Sequence, residues 1–144
     1  MNCPFCENKE VKHRTIVEND LAFAFPTNMP IVPGHILICP KRHVQYYEEA
    51  TLEEKIAIEE LRHKLKHALK KVFKAEGFNY AWNEEKIGGQ SVPHFHLHIV
   101  PRKEGDEGIY QYEPREFLYR PGPRTVASSH EELSEIVEMI KKAL

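Results

Sequence analysis

The chain has 144 residues, 41% hydrophobic and 29% charged, with 20 Lys and Arg against 22 Asp and Glu for a net charge of -2. A chain of that length removes roughly 70% of its unfolded surface from water and folds without staples, so residues 1–144 are expected to form one soluble domain. The charge balance offers no basic field, which argues against a module held on nucleic acid through phosphates, and no segment reaches membrane-spanning length. The opening residues MNCPFCENKEVKHR lack the apolar run of a signal peptide. Three cysteines, two of them closely paired, do not make a secreted disulfide framework, and cytoplasm is the expected location.

In chain order, Thr15 to Glu18 and Leu21 to Phe25 are predicted as short strands joined by a turn at Asn19-Asp20. The proline-rich PTNMPIVPG, Pro26 to Gly34, reads as an ordered loop, and GHILICP as a near-continuous apolar strand. One long helix follows. Thr51 and Glu54 make a capping-box pattern, Ile58, Leu61, Leu65, Leu69 and Val72 recur at helical spacing, and Gly77 is a natural stop. Phe78 to Asn83 and Val92 to Val100 are predicted strands. An aromatic and proline-rich tail, IYQYEPREFLYRPGP, leads to a final helix capped by Ser128 or Ser129, with Glu131 or Glu132 at the box position. Strands and helices do not alternate in a βαβ rhythm. The expected class is therefore α+β, with a mostly antiparallel sheet of about five strands, one long helix and a C-terminal helix.

The chemistry concentrates in GGQSVPHFHLHIVPR, Gly88 to Arg102. His94, His96 and His98 alternate with Phe95, Leu97 and Ile99, the period-two pattern of a half-buried strand. The apolar set should face a core and the three imidazoles share the other face. A histidine-rich surface strand or three metal ligands would give the same pattern. The residues before it favour an active site. Gly88-Gly89 lets backbone approach a ligand closely, while Gln90 and Ser91 bring an amide and a hydroxyl that can donate to phosphate oxygens. An imidazole attacks phosphorus well at neutral pH and gives a phosphoramidate that water can cleave.

The run QSVPHFHLHIV resembles the His-φ-His-φ-His-φ-φ motif of the histidine triad family, where φ is apolar. PIVPGHILICPKRH, Pro30 to His43, is similar to the family's Gly-His strand followed by Pro-Lys-x-His, and NEEKIGGQSV to its asparagine and glycine loop. These matches cover roughly the first hundred residues in the family's order; the divergent part, residues 103–144, carries no family motif beyond PRKEGD. The resemblance implies a small nucleotide hydrolase or transferase acting at an α-phosphate. By position, His96 would be the nucleophile that forms a nucleotidyl-histidine intermediate. His98 would contact the phosphate and help move protons. Gln90, Ser91 and Asn83 would hold phosphate oxygens, and His35 would support the triad from behind. A backbone carbonyl near Gly89 is expected to hold the far nitrogen of His96.

CPFC, Cys3 to Cys6, has the spacing at which two thiolates share one tetrahedral zinc, and the same spacing fits a reduced pair or a redox motif. Zinc-bearing members of the family complete the set with histidines resembling His43 and His94, which implies a structural Zn2+ that fixes the aim of His96 two residues on. Cys39, inside an apolar strand, reads as core packing. His63 and His67 are spaced i, i+4 on the long helix but fall on its solvent side, and nothing singles out His13 or His130.

Phe23, Phe25 and Ile31 are candidates to pack on a base. Where phosphoramidase-like members carry an acidic residue for the ribose, this chain has Thr27, with Asn28 beside it. Glu84-Glu85 likewise replaces a glycine common in the family. PIVPGH with LICP and HIVPRKEGD resembles the dinucleoside polyphosphate hydrolases more than the phosphoramidases, so that hydrolysis is the expected reaction. Phosphoramidase activity, phosphorolytic transfer to inorganic phosphate, and non-catalytic nucleotide sensing are the alternatives. The resemblance also implies a homodimer.

Overall fold

The structure is a computed structural model that describes residues 3–106 and 127–144. The predicted aromatic and proline-rich tail lies outside the described residues. Two short helices, α1 (Pro4–Glu7) and α2 (Lys9–His13), precede strands β1 (Val17–Glu18), β2 (Ala22–Pro26) and β3 (Ile36–Pro40). Helix α3 (Leu52–Phe73), β4 (Gly77–Ala81), β5 (Leu97–Arg102) and helix α4 (His130–Ala143) follow. The strands form one antiparallel sheet in the order β1-β2-β3-β5-β4. This is the expected α+β architecture. Among the described residues, no helix is long and apolar enough to cross a membrane.

The hairpin between β1 and β2 turns on Asn19, whose Oδ1 accepts from the N–H groups of Leu21 and Ala22. Helix α3 begins as its capping box dictates: Thr51 Oγ1 accepts from Glu54 N–H at 3.1 Å, and the Glu54 carboxylate accepts from Thr51 N–H at 2.9 Å. It ends three residues earlier than Gly77 suggests, because Lys74 itself adopts the left-handed conformation (φ 55°) and breaks the helix, leaving Gly77 to open β4. Ile58, Leu61, Leu65 and Leu69 are buried, and Val72 is half-buried. Ser129, not Ser128, caps α4, accepting from Glu132 N–H at 3.1 Å.

The sheet is covered on both faces. One face packs Ile36, Ile38, Phe95 and Ile99 against the α3 stripe and against Ile136, Val137 and Ile140 of α4. The other buries Leu37, Cys39 and Phe25 beneath Cys3, Phe5 and Val11 of the amino-terminal segment. Cys39 is thus a core residue, and burial holds its thiol well above the usual range.

Strand β5 starts at Leu97, five residues later than predicted. Its ladder with β3 ends at Ile38↔Leu97, and two positions further on β3 offers Pro40, which has no N–H to extend the pairing. The segment ahead of Leu97 is anchored instead by Phe95 N–H donating to the Val44 carbonyl at 2.7 Å. The alternation survives: Phe95 faces the α3 core while His94 and His96 face Phe5. Strand β4 likewise stops at Ala81, two residues short of the predicted Asn83.

Arg42, next to His43, is tied to α3 by hydrogen bonds of 2.8 and 3.1 Å from its guanidinium to the buried Glu54 carboxylate. That contact, ahead of the opposing effect of burial, holds the Glu54 carboxyl below its ordinary range. Such a group contributes stability above the unfolded carboxyl pKa of about 4.3, and the contribution is lost as pH falls through the lower folded value. The melting temperature of the wild type should therefore fall more between pH 6 and pH 3 than that of Glu54→Gln. Thr51→Ala should lower stability by about 1 kcal/mol, measured by denaturant titration.

Candidate functional site

The site lies where the residues before β5 meet the ends of β3 and α1. His94 is fully buried and held at both ring nitrogens. Its Nε2–H donates to the Pro40 carbonyl at 2.8 Å, which leaves Nδ1 as a lone pair. That lone pair faces Cys3 Sγ at 3.4 Å and Cys6 Sγ at 3.5 Å, and His43 Nδ1 stands 3.6 Å from Cys6 Sγ. All four ligand atoms fall within 4.8 Å of one another. Ligands 2.0 to 2.3 Å from a tetrahedral zinc lie about 3.5 Å apart, so the three separations of 3.4 to 3.6 Å and the S2N2 donor set fit a four-ligand site. Burial and the adjacent Cys3 thiol push Cys6 up to about 11, which favours the neutral thiol; a bound cation would reverse that preference by replacing thiol protons. The four candidate ligands named from the sequence come together here. The carbonyl of Pro40, which fixes the ligating tautomer of His94, is a backbone contribution that residue types do not advertise.

His96 follows two residues later. Its Nδ1–H donates to the carbonyl of His94 at 2.8 Å, so Nε2 carries the lone pair. The holding carbonyl is thus that of His94 and not one near Gly89; a residue two positions back on the same segment reaches Nδ1, whereas the Gly89 carbonyl accepts from Asn83 Nδ2 at 3.3 Å. Burial lowers the pKa of His96, against the opposing hydrogen bond, and favours the neutral ring. Phe5 packs edge-on against the His96 ring with centroids 5.1 Å apart, which fixes its plane. The sequence carries one signal for Phe5, its position between the two cysteines of CPFC.

The tautomer of His98 follows from its neighbours. Ile31 N–H donates to His35 Nδ1 at 3.1 Å, so the proton of neutral His35 sits on Nε2 and is donated to His98 Nδ1 at 2.9 Å. His98 therefore carries its own proton on Nε2. Its ring centroid lies 5.0 Å from that of His96. Gly34 delivers His35 to this position: it adopts φ 92°, and a Cβ there would meet Phe73 at 2.9 Å.

The remaining candidates take other places. Gln90 is buried, its amide donating to the Gln45 carbonyl at 2.9 Å and its Oε1 accepting from Glu85 N–H at 3.1 Å. Ser91 is exposed. Gly89 has φ 97°, which requires glycine, whereas Gly88 needs no left-handed backbone. Phe25 has no exposed surface to offer a base, being packed between Phe5 and Phe23. Thr27 is buried, with Oγ1 accepting from Met29 N–H at 3.2 Å, and Asn28 is exposed, its carbonyl accepting from Ser128 N–H. His63 and His67 are exposed on α3, and His130 pairs with Glu10 on the surface.

A family model described as the HIT domain matches residues 8–105. An uncharacterized HIT-like protein of Mycoplasma genitalium is 38% identical over 75% of this chain and 78% of its own length. The bis(5'-adenosyl)-triphosphatase of Dictyostelium discoideum is 32% identical over 81% of this chain and 78% of its own. Among solved structures, the Plasmodium falciparum diadenosine triphosphate hydrolase superposes with a TM-score of 0.73 at 27% identity, covering 91% of this chain and 76% of that one.

If the four-residue cluster holds a metal, Cys3→Ser should reduce the metal-to-protein ratio found by elemental analysis from about one to near zero and lower the melting temperature. An unchanged ratio would eliminate the cluster as the binding site.

Proposed function

From the premise that the chain belongs to the HIT, or histidine triad, family, we propose that it hydrolyses dinucleoside polyphosphates at an α-phosphate through a nucleotidyl-histidine intermediate on His96. The observation that carries the reading is the Nδ1–H of His96 locked onto the His94 carbonyl at 2.8 Å. It leaves an unprotonated Nε2 on a buried, immobilised ring, which is what a nucleophile requires. The triphosphatase and hydrolase names of similar proteins support the substrate class.

In the first step Nε2 of His96 forms a bond to the α-phosphorus as the bond to the bridging oxygen breaks. The nucleoside phosphate leaves with the electron pair of that bond. The imidazolium so formed keeps its Nδ1–H on the His94 carbonyl. His98 donates its Nε2–H to a phosphate oxygen. Its Nδ1 is occupied by the proton of His35, which makes His98 a fixed donor in this step and not a second nucleophile. Ser91 and the backbone around Gly89 complete the phosphate cradle, with Gln90 and Asn83 holding the loop through hydrogen bonds to Gln45, Glu85 and Gly89. Water then attacks the phosphorus on the side opposite His96, the N–P bond breaks, and the electron pair returns to Nε2, while one proton of the water is released to solvent and the other stays on the new P–OH. The products are a nucleoside monophosphate and the shortened nucleotide.

The ion we assign to the Cys3, Cys6, His43 and His94 cluster is a structural Zn2+, since two thiolates and two imidazoles suit zinc and leave no open coordination position. We also assign a homodimer. Strand β4 is a sheet edge, Tyr80 and Trp82 are exposed at and beside it, and Leu52 and Ile56 are exposed on α3.

With diadenosine triphosphate in 18O-labelled water, the expected products are ADP and AMP, with the label in AMP. Label in ADP would overturn attack at the α-phosphate. His96→Ala should lower kcat by about three orders of magnitude or more while nucleotide affinity changes little. Tyr80→Glu should shift the chain from dimer to monomer in sedimentation velocity.

A further inference from the structure

Glu85 stands in a backbone conformation that belongs to glycine, with φ 64° and ψ 159°. A side chain there is strained, and such strain persists only where surrounding contacts over-determine it. Four contacts do so. The Glu85 N–H donates to Gln90 Oε1 at 3.1 Å, and the Glu85 carbonyl accepts from Gly88 N–H at 3.1 Å and Gln90 N–H at 3.0 Å. The fourth involves the side chain itself: Tyr46 donates its phenolic O–H to the Glu85 carboxylate. Glycine would make the three backbone contacts without strain, so the hydroxyl–carboxylate contact is what the side chain adds.

Tyr46 is held in turn. Its N–H and that of Gln45 both donate to Glu49 Oε1, at 2.9 and 3.0 Å, and the Gln45 carbonyl accepts the amide of Gln90. The segment that leaves His43 is thus joined to the loop ending at Gln90 and Ser91 by two bridges, Tyr46 to Glu85 and Gln45 to Gln90.

We propose that Glu85 and Tyr46 form a latch that presses the loop before Ser91 into its working position, and that the strained backbone of Glu85 is retained for this latch. Glu85 is then a positioning residue for the phosphate cradle, and this role rests on the hydrolase reading given above. It touches neither the reacting phosphorus nor His96, and acts by preorganising Gly89 to Ser91 for the transition state.

The experiment compares wild type, Glu85→Gly, Tyr46→Phe and the double variant on diadenosine triphosphate, with thermal melting and backbone amide exchange on the same samples. Glu85→Gly should melt higher than wild type, because the strain is gone, yet lose about tenfold in kcat with little change in KM. A role in stability alone would move melting temperature and kcat in the same direction. Tyr46→Phe should lose kcat to the same extent without the gain in melting temperature, and the double variant should lose no more than either single one. In Tyr46→Phe the amides of Gly88 and Gln90 should exchange about tenfold faster. A Glu85→Gly variant with unchanged or higher kcat, or losses that add in the double variant, would overturn the latch. If the wild type does not turn over the substrate, the hydrolase reading fails first. The latch then stands on exchange alone, and unchanged protection at Gly88 and Gln90 in Tyr46→Phe overturns it.

Discussion

Everything at the centre of this molecule hangs on His94. Its ring donates to the Pro40 carbonyl, its other nitrogen faces the two thiols, and its own carbonyl accepts the Nδ1–H of His96. One residue thereby converts a fixed point on β3 and a fixed point on the amino-terminal segment into the orientation of the next histidine. The buried ring makes each bond stiff, because an unpaired polar atom at that depth would carry the full desolvation cost. The aim of His96 is therefore set by the cysteine cluster and by the end of β3 rather than by a strand ladder, since the ladder does not reach back past Leu97.

A second chain of constraints reaches His98 from the opposite direction. Gly34 takes a left-handed turn, which seats His35 under the proline-rich loop, and Ile31 N–H dictates where the His35 proton sits. The consequence passes through the His35–His98 bond and ends at His98 Nε2. Two neighbouring histidines of one segment thus hold opposite tautomers: Nε2 carries the lone pair on His96 and the proton on His98. A single environment would give both rings the same tautomer. Two separate supports, a carbonyl behind one and an imidazole N–H behind the other, make them different, and the proposed displacement at phosphorus would use that difference.

Much of this was legible in the sequence. Alternation at residues 94 to 99 separates a core face from a histidine face whether or not the backbone is formally a strand, so the pattern defines the faces without locating the strand start. The α3 cap follows from Thr51 and Glu54 because side-chain chemistry and local geometry coincide there. Its end did not follow, since a left-handed lysine leaves no compositional trace. The four clustered ligands were legible from a spacing and a resemblance; the Pro40 and His94 carbonyls were not, because every residue has a carbonyl. Phe25 shows the converse failure: an aromatic beside a binding loop suggests a base platform, yet the short amino-terminal helices cover that face of the sheet and Phe5 lies against it.

Local rules that fail in a folded chain carry information of their own. Lys74 and Glu85 are the non-glycine residues with positive φ among those described, and they are not equivalent. Lys74 sits at a helix C-terminus in the ordinary left-handed well, a place where many residues end a helix at small cost. Glu85, at ψ 159°, lies outside that well in a region almost confined to glycine, and it does so beside the candidate site. Consistency across propensity, pattern and packing holds through the helices and the sheet, and it breaks in the loop that precedes Gln90 and Ser91. A break confined to that loop is better explained by what the side chain does for the site than by tolerance of strain, because the same backbone was available to a residue that would have carried none.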